Sequence, residues 1–294
     1  MPGLRHNRCV TDDDTPSPAP TFSVVIPAHN EEAVIMRLLQ AFVPDLRDGE
    51  AQVVVVPNGC TDRTAELARS VSGVTTLDVA VASKSAALNA GDKGASAFPR
   101  IYVDADVILG ADTLRALAHV LAVPDARVAS PTVRFIVEGR PWAVRAFHHV
   151  YEKLPYIDNA LIGHGVYALS AAGRARFDEF PTVTADDLFV QRLFTISERI
   201  ILGSHFVDVQ TPKTLRSLVA IRTRTAYGNR ELAKVSESTH GSSTATTVSA
   251  LLNLIRTEPR IVPAAAVYVG VTVISRLKSK RRAARQWQRD NSTR

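Results

Sequence analysis

The sequence predicts an α/β fold with a mainly parallel central sheet flanked by helices and followed by a C-terminal helical extension. Three observations carry that expectation. Two apolar runs, Thr21–Pro27 and Ala51–Pro57, are continuous rather than alternating, as in strands covered on both faces. Each leads into a helical stretch, the rhythm of parallel strand–helix units. A further apolar run, Ile101–Val103, ends on Asp104-Ala105-Asp106, so two carboxylates stand at the carboxyl end of a buried strand. Open α/β sheets bind their ligands there.

The chain has 294 residues, 46% of them hydrophobic, enough to bury a full core. Cys9 and Cys60 are its two cysteines, which argues against a disulfide framework and suits a reducing compartment. Residues 1–20 lack the apolar core of a signal peptide, and their Pro, Ser and Asp content reads as a disordered arm. Residues 276–294 carry eight Arg or Lys against one acid, Asp290, a net +7 that leaves −1 of the overall +6 for the rest of the chain. The basicity therefore belongs to a tail. A nucleic-acid-binding domain would spread positive charge over a folded face, and no such partner is expected.

In order, Ala28 to Glu32 should open an amphipathic helix to about Val43, with Asn30 as its cap and Glu31 and Glu32 at its positive end. These groups also follow a strand, so they could face a ligand. After the second strand, Asn58-Gly59 marks a tight turn, and Thr61 or Asp62 caps a helix over 63–70. Val74–Val81 reads as a third strand. Ser83–Gly91 is a small-residue helix with Lys84 at its start, where a cation opposes the helix dipole and an anionic ligand would explain it.

Beyond Asp106, a helix is expected over 112–122, a strand over 127–135 and a helix over 141–154. His148 and His149 are adjacent, point to different faces and read as packing or surface residues. Gly163-His164-Gly165 precedes a short strand, and its glycines let the backbone approach a ligand. Asp186 and Asp187 open another helix: favourable helix-start acids, or a general base whose neighbour sits in a different environment. From Pro212 a long helical stretch carries Arg216, Arg222, Arg224 and Arg230, suited to a solvated face or to a diphosphate. Ser236–Ser249 reads as a mobile Ser/Thr-rich loop. The apolar run Ile261–Ile274 spans roughly 21 Å, short of the ~30 Å hydrocarbon core, so a core or interfacial helix is expected.

Taken together, VVIPAHNEE (24–32), VVVVPNGCTDRTAE (53–66), SKSAALNAG (83–91), IYVDADVIL (101–109), GHGVYALS (163–170) and ADDLFV (185–190) resemble the family-2 glycosyltransferases with the GT-A fold. The resemblance covers about residues 21–230. It implies a UDP- or GDP-sugar donor, Mn2+ or Mg2+, and an inverting, metal-assisted transfer to a hydroxyl acceptor on a lipid, glycan or small molecule. Pro27, Ala28, Asn30 and Glu31 would line the nucleoside pocket. Asn58 stands where the family commonly has a base-binding Asp. Lys84 would lie near the base and diphosphate, Asp104 would hold ribose or metal, and Asp106 would ligate the metal. Asp187 matches the catalytic base, with Asp186 at the neighbouring acidic position. The Arg222–Gly228 segment looks like a degraded version of the processive-synthase motif, retaining Arg224, which argues against a polymerising synthase.

Two other classes compete: a nucleotidyltransferase, disfavoured because PAHNEE contains no phosphate-loop glycine, and a non-catalytic nucleotide-sugar binder or membrane-docked scaffold. The expected organisation is an arm (1–20), a GT-A domain (21–235), a flexible loop (236–249), and an apolar helix with a basic tail (250–294). The tail suits peripheral association with anionic membrane, and hence a cytoplasmic protein at the inner face of the cell membrane.

Overall fold

A computed structural model describes residues 20–154, 165–183, 185–235 and 244–280. The N-terminal arm, His164, residues 236–243 and the tail beyond Lys280 lie outside them. The elements in order are β1 (Phe22–Ala28), α1 (Ile35–Phe42), β2 (Ala51–Pro57), α2 (Thr64–Arg69), β3 (Val74–Thr76), α3 (Lys84–Gly94), β4 (Arg100–Val103), β5 (Val107–Ile108), α4 (Ala111–Leu121) and β6 (Val128–Ile136). There follow α5 (Trp142–Tyr151), β7 (Val166–Leu169), α6 (Ala171–Arg174), α7 (Asp186–Arg192), β8 (Arg199–Gln210), α8 (Leu215–Val235), α9 (Thr244–Thr257) and α10 (Val262–Lys280).

The described strands form one 8-stranded sheet in the order β3-β2-β1-β4-β7-β6-β8-β5. From β3 to β4 all neighbours are parallel, as the continuous apolar runs require. β7 runs antiparallel between β4 and β6, so the sheet is mixed. Alternate residues of β1 feed opposite faces. Val24 and Ile26 pack with α1 and α4, whereas Val25 packs with Leu88 of α3 and with Tyr102 and Val190. A third cluster, built by Val144, Phe147, Leu218, Tyr268 and Val271, joins α5, α8 and α10.

Several sequence expectations need correction. Helix α1 begins at Ile35, with no side-chain cap, because residues 31–34 form a turn closed by Val34 N–H on the Glu31 carbonyl. Asn30 sits at φ +55° and accepts a hydrogen bond from Thr61 N–H at 2.7 Å, so it ties two loops and caps nothing in α1. The third strand stops at Thr76, with an isolated bridge from Val79 to Asn58. β8 was not anticipated: its register against β6 jumps between Pro131↔Leu202 and Thr132↔Phe206, so Gly203, Ser204 and His205 bulge out and break the period-2 pattern. α9 starts at Thr244, making the second half of the expected loop helical, and α10 carries the helix six residues past the apolar run, to Lys280.

Candidate active site

Because β1, β2 and β4 are parallel, their carboxyl ends open on one edge of the sheet. Antiparallel β7 begins at that edge, where Asp104 N–H donates to the Gly165 carbonyl at 2.7 Å. Gly165 adopts φ +67°, and a Cβ there would stand 2.5 Å from Val107 and 3.3 Å from the Asp104 Cβ. A glycine is required by both conformation and space.

Lys84, the first residue of α3, points into this edge. Its Nζ lies 2.7 Å from Asp104 Oδ1 and 2.8 Å from Asp186 Oδ1, joining residues brought from the end of β4 and the start of α7. Ser83 supplies the helix cap, accepting the Ala86 N–H. Burial alone would push the Lys84 ammonium down, but the two carboxylates outweigh it and hold it well above the ordinary lysine range. The anion that the helix-start lysine called for is thus supplied by the chain itself.

Asp186 is only 4% exposed. Its second oxygen accepts from Tyr167 Oη at 3.1 Å, so the buried carboxylate is satisfied on both sides. Tyr167 stacks on Tyr102 at 5.0 Å, and Tyr102 Oη donates to Asp92, which also meets Arg100 and Arg174. A polar network therefore runs beneath the acids. The neighbouring Asp187 stays partly exposed, and its Oδ1 accepts the Leu188 N–H at 2.8 Å. Two consecutive acids occupy two environments.

Asp106 is pushed up to about 6, first by burial and then by the Asp104 charge, against the pull of Arg224 and Lys84. Helix α8 thus carries Arg224 into the field of the acids. Arg37 of α1 donates to the Asp106 carbonyl at 3.4 Å. Neither Arg37 nor Tyr167 was anticipated. In the sequence Arg37 is one polar position of an amphipathic helix and Tyr167 one residue of an apolar strand, so neither stands out.

The residues expected to line the nucleoside pocket divide. Pro27 and Ala28 are buried strand residues, and Glu31 is 8% exposed. Asn58 has no exposed surface: its Nδ2 donates to Ala28 O at 2.9 Å and Val56 O at 3.3 Å, and its Oδ1 accepts Ser83 N–H at 3.1 Å. In this structure Asn58 stitches β1, β2 and the start of α3 together, which departs from a direct base contact. Asn30 and His29 stand at the rim, His29 Nδ1 lying 2.6 Å from Asn58 O.

No group of three or more His, Cys, Asp or Glu with metal-cage geometry occurs among the described residues. Asp104 and Asp106 nevertheless fit a hard divalent ion, which commonly takes one or two carboxylates and completes its shell with substrate phosphates and water. The mutual repulsion that raises Asp106 is what such an ion relieves. A separate groove of about 350 Å³, lined by Trp142, Arg145, His149 and Glu152 among others, shares no residue with these acids.

Comparison with known proteins now decides the family. The profile described as "Glycosyl transferase family 2" matches residues 23–178, more than half of the chain. The chain belongs to glycosyl transferase family 2. It is a glycosyltransferase with the GT-A arrangement of sheet and helices. No curated protein matches the sequence. Among solved structures it resembles the mannosyltransferase PcManGT from Pyrobaculum calidifontis, in complex with GDP-Man and Mn2+, at TM-score 0.60 and 23% identity, over 87% of this chain and 75% of that one. It also resembles glucosyl-3-phosphoglycerate synthase from Mycobacterium tuberculosis, in complex with Mn2+, UDP-Glc and phosphoglyceric acid, at TM-score 0.53 and 19% identity, over 73% and 79% of the two chains.

Proposed function

We propose that this glycosyltransferase moves a sugar from a UDP- or GDP-linked donor to a hydroxyl acceptor with inversion at the anomeric carbon, using Asp187 as general base. The observation that carries the reading is the division of labour between the adjacent acids. Asp186 is buried, paired with Lys84 and bonded by Tyr167, whereas Asp187 remains partly exposed at the same helix start. A fixed neighbour of this kind holds a base in one orientation, and proton removal from a hydroxyl in the transition state contributes typically 10²–10⁴-fold. The acceptor oxygen, relieved of its proton by Asp187, attacks the face of the sugar opposite the departing nucleotide.

Asp106 with Asp104 would hold the divalent cation, Mn2+ or Mg2+, which supplies charge neutralisation at the donor diphosphate. Arg224 stands on the same side and adds positive charge there. The loop of Asn30 and Glu31, braced by Asn58, frames the nucleoside. Analogy of fold supports a nucleotide-sugar donor, since the mannosyltransferase and the glucosyl-3-phosphoglycerate synthase were solved with one. The same reading places the enzyme in the cytoplasm at an anionic membrane, through its basic tail.

Thermal shift against UDP- and GDP-sugars, with and without Mn2+, tests donor and metal together, because a ligand that binds only the folded chain raises its melting temperature. NMR of the product's anomeric proton tests the stereochemistry. Retention there would falsify the single-displacement mechanism.

A further inference from the structure

Helix α10 is apolar on two faces. One face, carrying Ala265, Tyr268, Val271, Ser275 and Ser279, is buried along the whole length of the helix. Tyr268 stacks on Phe147 of α5 at 5.2 Å, and Ser275 Oγ donates to Val219 O of α8 at 3.3 Å. The other face presents Val262, Val269, Val273 and Leu277, exposed at 47%, 44%, 49% and 56%. Their spacings of seven, four and four residues align them in one stripe, about 22 Å long. Ile274 widens it, and α9 adds Val248 and Leu252, one turn apart and each 50% exposed.

No charge interrupts residues 262–275, and then Arg276, Lys278 and Lys280 follow on exposed positions, with five more basic residues to Arg294. A helix apolar all round belongs in a core or in lipid, and half of this one is outside the core. The junction of an apolar stripe and a basic segment matches the two layers of an anionic bilayer surface, acyl boundary and headgroups.

At 19 residues α10 spans about 28 Å, nearly the ~30 Å of a hydrocarbon core. Its packing forbids spanning. The buried face is held against α5 and α8 at Tyr268, Val271 and Ser275, and those helices carry Arg145, Arg222, Arg224 and Arg230, which would have to enter the bilayer with it. We propose that α10 lies flat on the membrane, seating Val269, Val273 and Leu277 in the acyl boundary and Arg276, Lys278 and Lys280 among anionic headgroups. This deepens the membrane placement given under the proposed function and depends on it for the class of partner, though not on the transfer chemistry.

The experiment is co-sedimentation of the full chain with phosphatidylcholine vesicles, and with vesicles that also contain phosphatidylglycerol. Wild type should pellet with the anionic vesicles, less so at high salt, and be released by alkaline carbonate. The double variant Val269→Glu/Val273→Glu should lose about tenfold or more in partitioning while keeping its melting temperature and donor-sugar hydrolysis. Equal pelleting of wild type and double variant overturns the proposal. If deleting residues 281–294 abolishes binding while the double variant binds normally, the tail alone is the anchor and the face is not. Resistance to carbonate would mean a span. A dimer in light scattering that the double variant dissociates, without any vesicle binding, would assign the stripe to a second copy. Wild type that binds anionic vesicles but hydrolyses no donor sugar would strike the catalytic reading and leave this one standing.

Discussion

Lys84 Nζ lies 2.8 Å from Asp186 Oδ1, and the same nitrogen lies 2.7 Å from Asp104. One cation therefore bridges the strand end proposed to hold the metal and the helix start proposed to hold the base. The two halves of the site are not independent, and each is adjusted through the side chain they share.

Lys84→Met should consequently damage stability as well as activity. Removing one partner of a buried pair leaves the other charge uncompensated, at a cost of about 3–5 kcal/mol. Asp186 is the more deeply buried partner, at 6% side-chain exposure against 20% for Lys84. Urea denaturation should show a lower midpoint at an unchanged slope. An unaltered midpoint would mean that Asp186 finds another donor.

Tyr167→Phe removes a single hydrogen bond to Asp186 and leaves the stacking on Tyr102 in place. The expected cost is about 1 kcal/mol of orientation, hence a fall of several-fold in kcat with little change in donor KM. An effect confined to KM would place Tyr167 on the donor side instead.

Asp187→Asn should lower kcat by about 10²–10⁴ and leave the donor's thermal shift intact, because it removes the proposed base and no proposed binding group. Asp106→Asn should do the reverse first, erasing the Mn2+-dependent part of the shift. If both variants lose the shift equally, the assignment of separate roles fails.

A prediction about pH comes from the far end of the sheet. Arg115 grips Glu50 in a fork, Nε to Oε1 at 2.8 Å and Nη2 to Oε2 at 2.9 Å. The hydrogen bonds from Arg115 hold the Glu50 carboxyl down at about 2, against an ordinary 4.5. A carboxyl lowered in the folded state stabilises above its unfolded value and loses that contribution as pH falls through the folded one. Wild type should exceed Glu50→Gln by about 1 kcal/mol at neutral pH, given partial solvent screening. The gap should close between pH 4.5 and 2. A gap that widens toward low pH would reverse the assignment.

Much of the frame was legible in the chain. β1, β2 and β4 announce themselves as continuous apolar runs, and polar residues follow them where the chain leaves the sheet. α3 announces itself through Ser83 and its small residues. At Asn30 and Asn58 the local signal was outweighed in the same way: a side chain chose a distant partner over a local one. Asn30 has the chemistry of a cap but accepts from Thr61 in the loop after β2. Asn58 follows a strand as base-reading residues do, yet hydrogen bonds to Ala28, Val56 and Ser83 occupy its amide.

What the sequence by itself determined is the alternation of strand and helix, the acids at strand and helix ends, and the basic tail, because these follow from local periodicity and charge. Tertiary structure alone decided that Lys84 joins Asp104 to Asp186, that Tyr167 satisfies the buried acid, and that α10 leaves an apolar stripe uncovered. Those are contacts between segments up to a hundred or so residues apart. Their energies depend on burial and distance, and neither quantity exists until the sheet has brought the segments to one edge.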